Sequence, residues 1–381
     1  MGNKDNSGRD ASLPLRVLFL IFSFHVGGIE RQLVELANAL AARGEEVHLC
    51  VINASYEETL LATLSSEVHL LKMERPVSGA GRMAYMWRLA RYVRRWHIDV
   101  IHAQEPTGVV FSAFAKALCP ALRIVETVHD VGEYREYSGM QLRLADLLCR
   151  RYVAISAAVE REIRERGIAA RRVTLIHNAV NTEKFYLLQR SKPDRVGGRE
   201  EEFCIGNIAR FFPAKKGQDT LVRAVEILRR TYPRIHCFLA GAVYRGQDEA
   251  YRELVSYVKS HELEDHITFC GGIDEVVDFL GKIDLFVLPS NYEGFGIALI
   301  EAMATGLPCV ASRLDGPLEI MGEHPELGRL FEAGDAAELA EQIAYVMEHY
   351  QEYQQNEIAA YTAATYGMDS FVEKHMALYR M

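Results

Sequence analysis

Short apolar, β-prone runs alternate with helix-forming stretches along nearly the whole of this 381-residue chain. That alternation admits few folds: strands that read as continuous hydrophobic runs, separated by helices, belong in parallel sheets with both faces covered. In the first half the runs are Val17–Phe24, Val47–Ile52, Val68–Leu71, Asp99–His102, Ile124–Val128, Arg151–Ile155 and Val173–Ile176, with helices such as Glu30–Arg43 and Gly108–Leu118 between them. The pattern breaks over 187–202 (LLQRSKPDRVGGREEE), a polar stretch containing glycine and proline that reads as a linker. It restarts with Phe203–Ile208, His236–Ala240, Ile267–Cys270, Leu285–Leu288 and Cys309–Ala311. The expectation is an α/β protein of two Rossmann-like domains facing across a cleft, with ligands at the carboxyl ends of the strands. A polar tail of residues 1–13 is expected to be disordered, followed by domains at 14–186 and 203–365.

One strand-to-helix junction carries more chemistry than the rest. After the buried run Ile283–Pro289 comes PSNYEGFGIALIEAMATGLP, in which Glu293 and Glu301 stand eight positions apart around Gly294 and Gly296. Good helix formers fill Ile297 to Ala304, so the glycines sit on a turn whose backbone N–H groups are free at a helix start. Such a turn can hold a phosphate through those N–H groups and the positive end of the helix dipole. Glu293 stays on the loop, and Glu301 rides the helix more than a turn further on.

Composition narrows the classes. Hydrophobic residues make up 49% and charged residues 25%, ordinary globular usage, and no apolar run reaches the ~20 residues of a bilayer span. Leu15–Phe24 has the look of a signal-peptide core, but a glycine turn and an amphipathic helix follow it where a cleavage site would be needed. Seven scattered cysteines without a C-x-x-C give neither a disulfide framework nor a metal site and suit a reducing cytosol. The net charge of −9 argues against a nucleic-acid partner, and G-x-G-x-x-G, the dinucleotide fingerprint, does not occur. Positive charge concentrates in Arg82–Arg95 (RMAYMWRLARYVRR), where Met, Tyr and Trp stand beside five arginines. This reads first as a helix with a core-facing aromatic stripe and a solvated basic face. The second reading is contact with an anionic membrane surface or a phosphate-bearing acceptor.

The string from Pro289 to Pro308 resembles the E-x7-E motif of retaining glycosyltransferases with the GT-B fold, the large family 4 type. Proline, serine, first acid, Gly-Phe-Gly, second acid, Ala-Met-Ala, glycine and proline all fall in place. The resemblance extends over nearly the whole chain and implies the same two-domain architecture. It also implies a last helix, 366–381, that crosses back to the first domain. The implied reaction is transfer of a sugar from a nucleotide-diphosphate sugar, UDP being the leading base, to a carbohydrate or lipid-linked acceptor. Surface polysaccharide or glycoconjugate assembly in the cytoplasm fits it, with a candidate peripheral membrane contact through Arg82–Arg95.

The resemblance assigns roles residue by residue. In NIARFFPAKKGQ, Arg210 and Lys216 match the pair that clamps the donor diphosphate, with Lys215 competing for the second place. Glu293 would meet a hydroxyl of the transferred sugar and Glu301 the ribose. The N–H groups around Gly294, Phe295, Gly296, Ile297 and Ala298 would help hold the diphosphate. Gly27 and Gly28, at the first strand-to-helix turn, match a turn near the donor phosphates and acceptor. His129, in ETVHD, matches a cleft histidine that contacts the donor sugar or acceptor. Gly241, ending FLAG, matches a nucleotide-site position and Glu319 a packing position. There is no Asp-x-Asp for a metal, so no metal or cofactor is expected and basic side chains with backbone donors must meet the leaving charge. Ala209 stands where glycine is usual, Gln104 where histidine is frequent, and His177, Ala179 and Asn181 where the family writes Pro, Gly and Asp. A sugar-nucleotide epimerase of the same fold and a non-catalytic nucleotide-sugar-binding partner are the alternatives.

Overall fold

The computed structural model describes residues 13–78, 80–185, 202–244, 246–273 and 275–381. The chain forms two compact units: residues 1–178 together with 368–381, and residues 179–367. The expected tail lies outside the described residues but for Leu13, and the expected linker but for Glu202. The first unit ends within IHNAVNTEKF, eight residues before the boundary expected from sequence, so 179–186 belong with the second unit. The reason is backbone pairing: Val180 bridges Gly367, and its N–H donates to the Tyr366 carbonyl at 2.9 Å.

The first unit holds seven parallel strands: β1 (Arg16–Ile21), β2 (Glu46–Asn53), β3 (His69–Arg75), β4 (Val100–Ala103), β5 (Arg123–Val128), β6 (Arg151–Ala154) and β7 (Val173–Leu175). Their order is β3-β2-β1-β4-β5-β6-β7. The second unit holds six: β8 (Phe203–Ile208), β9 (Ile235–Ala240), β10 (Ile267–Gly271), β11 (Leu285–Leu288), β12 (Cys309–Ser312) and β13 (Gly328–Phe331), ordered β10-β9-β8-β11-β12-β13 and again parallel. In each sheet the strand order reverses next to the first strand, between β1 and β4 and between β8 and β11. Loops leaving the carboxyl ends there diverge over opposite faces and leave a crevice between them.

The strands are continuous apolar runs because helices cover both faces. Around the second sheet, Ile205, Cys237, Leu239, Val287 and Val310 pack with Leu221, Val225, Ile343 and Val346. Two departures from the sequence reading have plain causes. Gly108–Leu118, read as one helix, is two (Pro106–Phe111 and Ala113–Leu118), broken at buried Ser112 whose hydroxyl donates back to the Gly108 carbonyl at 2.8 Å. β13 escaped the sequence reading because only four residues, one of them Arg329, mark it.

The arginine-rich segment is a helix over Arg82–Arg95, burying Met86, Leu89, Ala90 and Val93. The reading of its aromatic stripe as core-facing is corrected in part. Trp87 is 48% exposed and Met83 59%, on the same solvent side as the exposed Arg82, Arg91, Arg94 and Arg95. No helix among the described residues is long and apolar enough to cross a membrane.

The last helix, Met368–Arg380, packs in the first unit. Phe371, Val372, His375, Leu378 and Tyr379 are buried, and the Tyr379 hydroxyl lies 2.7 Å from Nδ1 of His102 on β4. Arg43 pairs with Asp369 at 2.7 Å and Arg380 with Glu45 at 2.8 Å.

Candidate functional site

Residues far apart in sequence meet at the carboxyl ends of β8 and β11 because these strands are neighbours. The segment after β8 makes a short helical turn, Pro213–Lys216, and reverses at Gly217 in the left-handed region (φ 64°). A Cβ at Gly217 would overlap the Pro289 carbonyl oxygen, so only glycine lets the two loops lie this close. Backbone bonds then lock them. The Lys215 carbonyl accepts from the N–H groups of Asn291 (2.9 Å) and Tyr292 (3.2 Å), and the Ala214 carbonyl from the Asn291 amide (3.2 Å).

This register sets the two lysines apart. Lys216 Nζ reaches Glu293 Oε2 at 2.8 Å, and the Ser290 hydroxyl donates to the same oxygen at 3.1 Å. Both side chains are largely withdrawn from solvent, 22% and 14% exposed, so the pair is weakly screened. Lys215 gives its carbonyl to the loop pairing instead.

Arg210 is exposed, its guanidinium 5.1 Å from the centre of the Tyr244 ring, which stacks on Phe212 at 5.7 Å and 4°. The Arg210 carbonyl accepts from the Gln218 amide at 3.1 Å, which ties this residue's backbone to the following helix. Gly241 ends β9 with φ 147°, where a Cβ would overlap the Ala209 carbonyl oxygen; it shapes the backbone beside Arg210. Gly294, Phe295 and Gly296 are buried, and Gly296 caps the helix Ile297–Ala304 without any side-chain cap. The N–H groups of Leu299 and Ile300 already bond to the Gly296 carbonyl, whereas Ile297 and Ala298 open the helix, where no intrahelical acceptor exists for an N–H. Glu301 lies one turn on, half-buried. The structure thus gathers Arg210, Lys216, Glu293 and the start of the Ile297–Ala304 helix around the ends of two adjacent strands. Glu319 sits on a different helix, Asp315–Met321.

Gly27, Gly28 and His129 lie in the first unit. Gly27 caps the helix Gly28–Ala42 in extended conformation and Gly28 is exposed. His129 follows β5; its N–H donates to Glu133 at 2.8 Å, and its ring Nε2 is 3.0 Å from the Gln104 side-chain oxygen. The Gln104 amide donates in turn to the His102 carbonyl at 3.4 Å, which orients it. Nε2 therefore carries the proton and Nδ1 the lone pair. Burial lowers the imidazole pKa to about 4, so His129 is neutral at pH 7. These rings line a narrow cavity with Gln32, Thr127 and His375.

Sequence reasoning missed Tyr244, Phe212 and Asn291 as parts of the site. The signal was available in the aromatics a few residues beyond the ends of β8 and β9, but nothing in the sequence shows that those two ends are adjacent.

Glu126, the first residue of ETVHD, is fully buried on β5 with one oxygen 3.2 Å from the Tyr134 hydroxyl. Burial first, then the charge of Glu133, raises its pKa to about 8; the Tyr134 bond and Arg166 oppose the rise and Asp146 adds to it. A carboxyl with a raised folded pKa binds more protons folded than unfolded, so stability falls as pH rises from about 4.5 to 8. Glu126→Gln is expected to flatten that fall. Chemical denaturation at pH 5 and pH 8 checks it, and an unchanged slope would assign the pH dependence to other groups.

Comparisons with known proteins agree with this fold. The family model "Glycosyl transferases group 1" matches residues 189–363, and "Glycosyltransferase Family 4" matches 26–184. N-acetyl-alpha-D-glucosaminyl L-malate synthase of Bacillus anthracis is 23% identical, over 84% of this chain and 85% of its own. Phosphatidyl-myo-inositol mannosyltransferase of Mycobacterium leprae is 26% identical, over 86% and 85%. The crystal structure of Anabaena Alr3699/HepE in complex with UDP and glucose superposes with a TM-score of 0.79, covering 96% of this chain and 99% of that one at 22% identity. That likeness establishes a common fold.

Proposed function

Because the chain belongs to the group 1, family 4 glycosyltransferases and has their GT-B fold, we propose that it is a retaining enzyme. On this reading it moves a sugar from a nucleotide-diphosphate sugar to a glycan or lipid-linked acceptor without a metal. The observation that carries the reading is the Lys216–Glu293 contact at 2.8 Å. It places a cation for phosphate and an anion for a sugar hydroxyl side by side, next to an open helix start and Arg210. Breaking the bond to the anomeric carbon leaves negative charge on the diphosphate. Arg210, Lys216 and the N–H groups from Gly294 to Ala298 meet that charge, Lys216 from a position largely withdrawn from solvent. Glu293 orients the sugar through a hydroxyl and Glu301 binds the ribose. Retention follows if the acceptor attacks from the face the diphosphate leaves, with the departing phosphate taking the acceptor proton.

UDP is the proposed base; the Anabaena neighbour holds UDP, and the same fold here presents the helix start that a diphosphate needs. In the first unit we assign Gly27 and Gly28 to the donor phosphates and acceptor, and neutral His129 to the donor sugar or acceptor. The curated relatives act on acceptors as different as L-malate and phosphatidyl-myo-inositol. A membrane-borne acceptor is favoured by the exposed Met83 and Trp87 among arginines. Basic charge attracts anionic headgroups while apolar side chains enter the interface.

The test of the donor site is thermal unfolding with UDP, GDP, ADP and CDP, each without added metal. A nucleotide at 100 times its Kd adds about 2.7 kcal/mol, a shift of roughly 5–10 °C for a domain of this size. One nucleotide should stand out, and Glu301→Ala should remove its shift. A flat panel with folded protein would overturn the donor-site reading.

A further inference from the structure

We propose that the β2–β3 edge of the first unit binds a divalent ion of the zinc class through Glu46, His48 and His69, none of which belongs to the site proposed for the sugar donor. Glu46 and His48 are two apart on β2, so their side chains leave the same face of the sheet. The parallel register pairs His48 with His69 on β3, which brings the third ligand alongside. One ligand atom from each of the three lies within 4.8 Å of the others. His48 Nε2 and Glu46 Oε1 are 3.2 Å apart. Two donors bound to one tetrahedral zinc at ~2.0–2.2 Å stand about 3.3–3.5 Å apart, so this pair is set for the ion as it is. His69 is exposed and has the freedom to close the rest by turning about its side-chain bonds.

The surroundings resemble a prepared site. The other nitrogen of His48, Nδ1, is 2.8 Å from the Tyr92 hydroxyl on the Arg82–Arg95 helix. A hydroxyl can accept as well as donate, so Nδ1 can carry the proton and leave the Nε2 lone pair to the ion. Trp96 packs against both rings, 5.3 Å from buried His48, which it helps to hold in place, and 5.1 Å from the exposed His69. Two imidazoles and a carboxylate suit zinc, nickel or copper and disfavour magnesium or calcium. A fourth position, on the exposed His69 side, is open to water. β3 is the edge strand of its sheet, and an ion there would pin it to β2.

The untagged full chain is titrated with Zn²⁺ by calorimetry and with Co²⁺ by visible absorption. One ion per chain, intense tetrahedral cobalt bands and a Zn²⁺-dependent rise in Tm are expected. His69→Asn, at an exposed position, and Glu46→Gln should each abolish all three. Tyr92→Phe should weaken binding by about tenfold or more. Absence of stoichiometric binding overturns the proposal. So does undiminished binding in His69→Asn and Glu46→Gln, which would place the ion elsewhere, for example at the exposed Cys270.

Discussion

Lys216→Met is expected to lower the rate of nucleoside-diphosphate release from the sugar donor by about 10²–10³-fold, the loss that follows removal of one preorganised donor to developing charge. Methionine keeps the length and apolar stem of lysine and deletes the charge that faces Glu293 at 2.8 Å. The loss should fall mainly on kcat, because the charge on the diphosphate is greatest once the bond to the sugar has broken. Lys215→Met is the control. Its carbonyl, which holds the Asn291 and Tyr292 N–H groups, survives the substitution, and turnover should stay within a few-fold of the parent. Lys216→Met, by contrast, leaves Glu293 with the Ser290 hydroxyl, so its ligand-free Tm should be compared alongside. Full turnover in Lys216→Met would remove this residue from the leaving-group site and put Arg210 alone in that role.

Deletion of Met368–Met381 unfolds the first unit and spares the second. Phe371, Val372, Leu378 and Tyr379 are each at most 6% exposed. At ~1.5–3 kcal/mol per buried apolar side chain their loss amounts to about 6–12 kcal/mol, against a total stability of roughly 5–15 kcal/mol for a whole domain. The cut also strips His102 of the Tyr379 hydroxyl and Glu45 of Arg380. Hydrogen exchange should show β1 to β7 unprotected and β8 to β13 protected. Protection over both sheets would mean that the helix adds little to the core it covers.

Much of this molecule was legible in its sequence because parallel strands covered on both faces leave an unmistakable trace. Phe203–Ile208 and Leu285–Leu288 were read to the residue, as was the helix Arg82–Arg95. Elements decided by local hydrogen bonds were not: the break at Ser112 and the four-residue β13 carry too little pattern. The site was legible in part. Glu293 and Glu301 flank one strand-to-helix junction, so spacing alone relates them. The choice of Lys216 over Lys215 depends on loop pairing between β8 and β11, and the partnership of His129 with Gln104 on the adjacent β4–β5 ends. Both are facts of strand order, to which sequence spacing is blind.

The bridge between Val180 and Gly367 marks where the polypeptide leaves its first unit and where it returns. In order of synthesis this inverts the usual precedence. The first unit is completed after the second, since its closing helix, Met368–Arg380, is made only once residues 179–367 are all available. A nascent chain therefore carries an unfinished N-terminal sheet, its apolar face uncapped, for as long as the second unit is being made. At ~5–20 residues per second that interval is on the order of ten to forty seconds, during which chaperone binding or premature termination would act on the first unit alone.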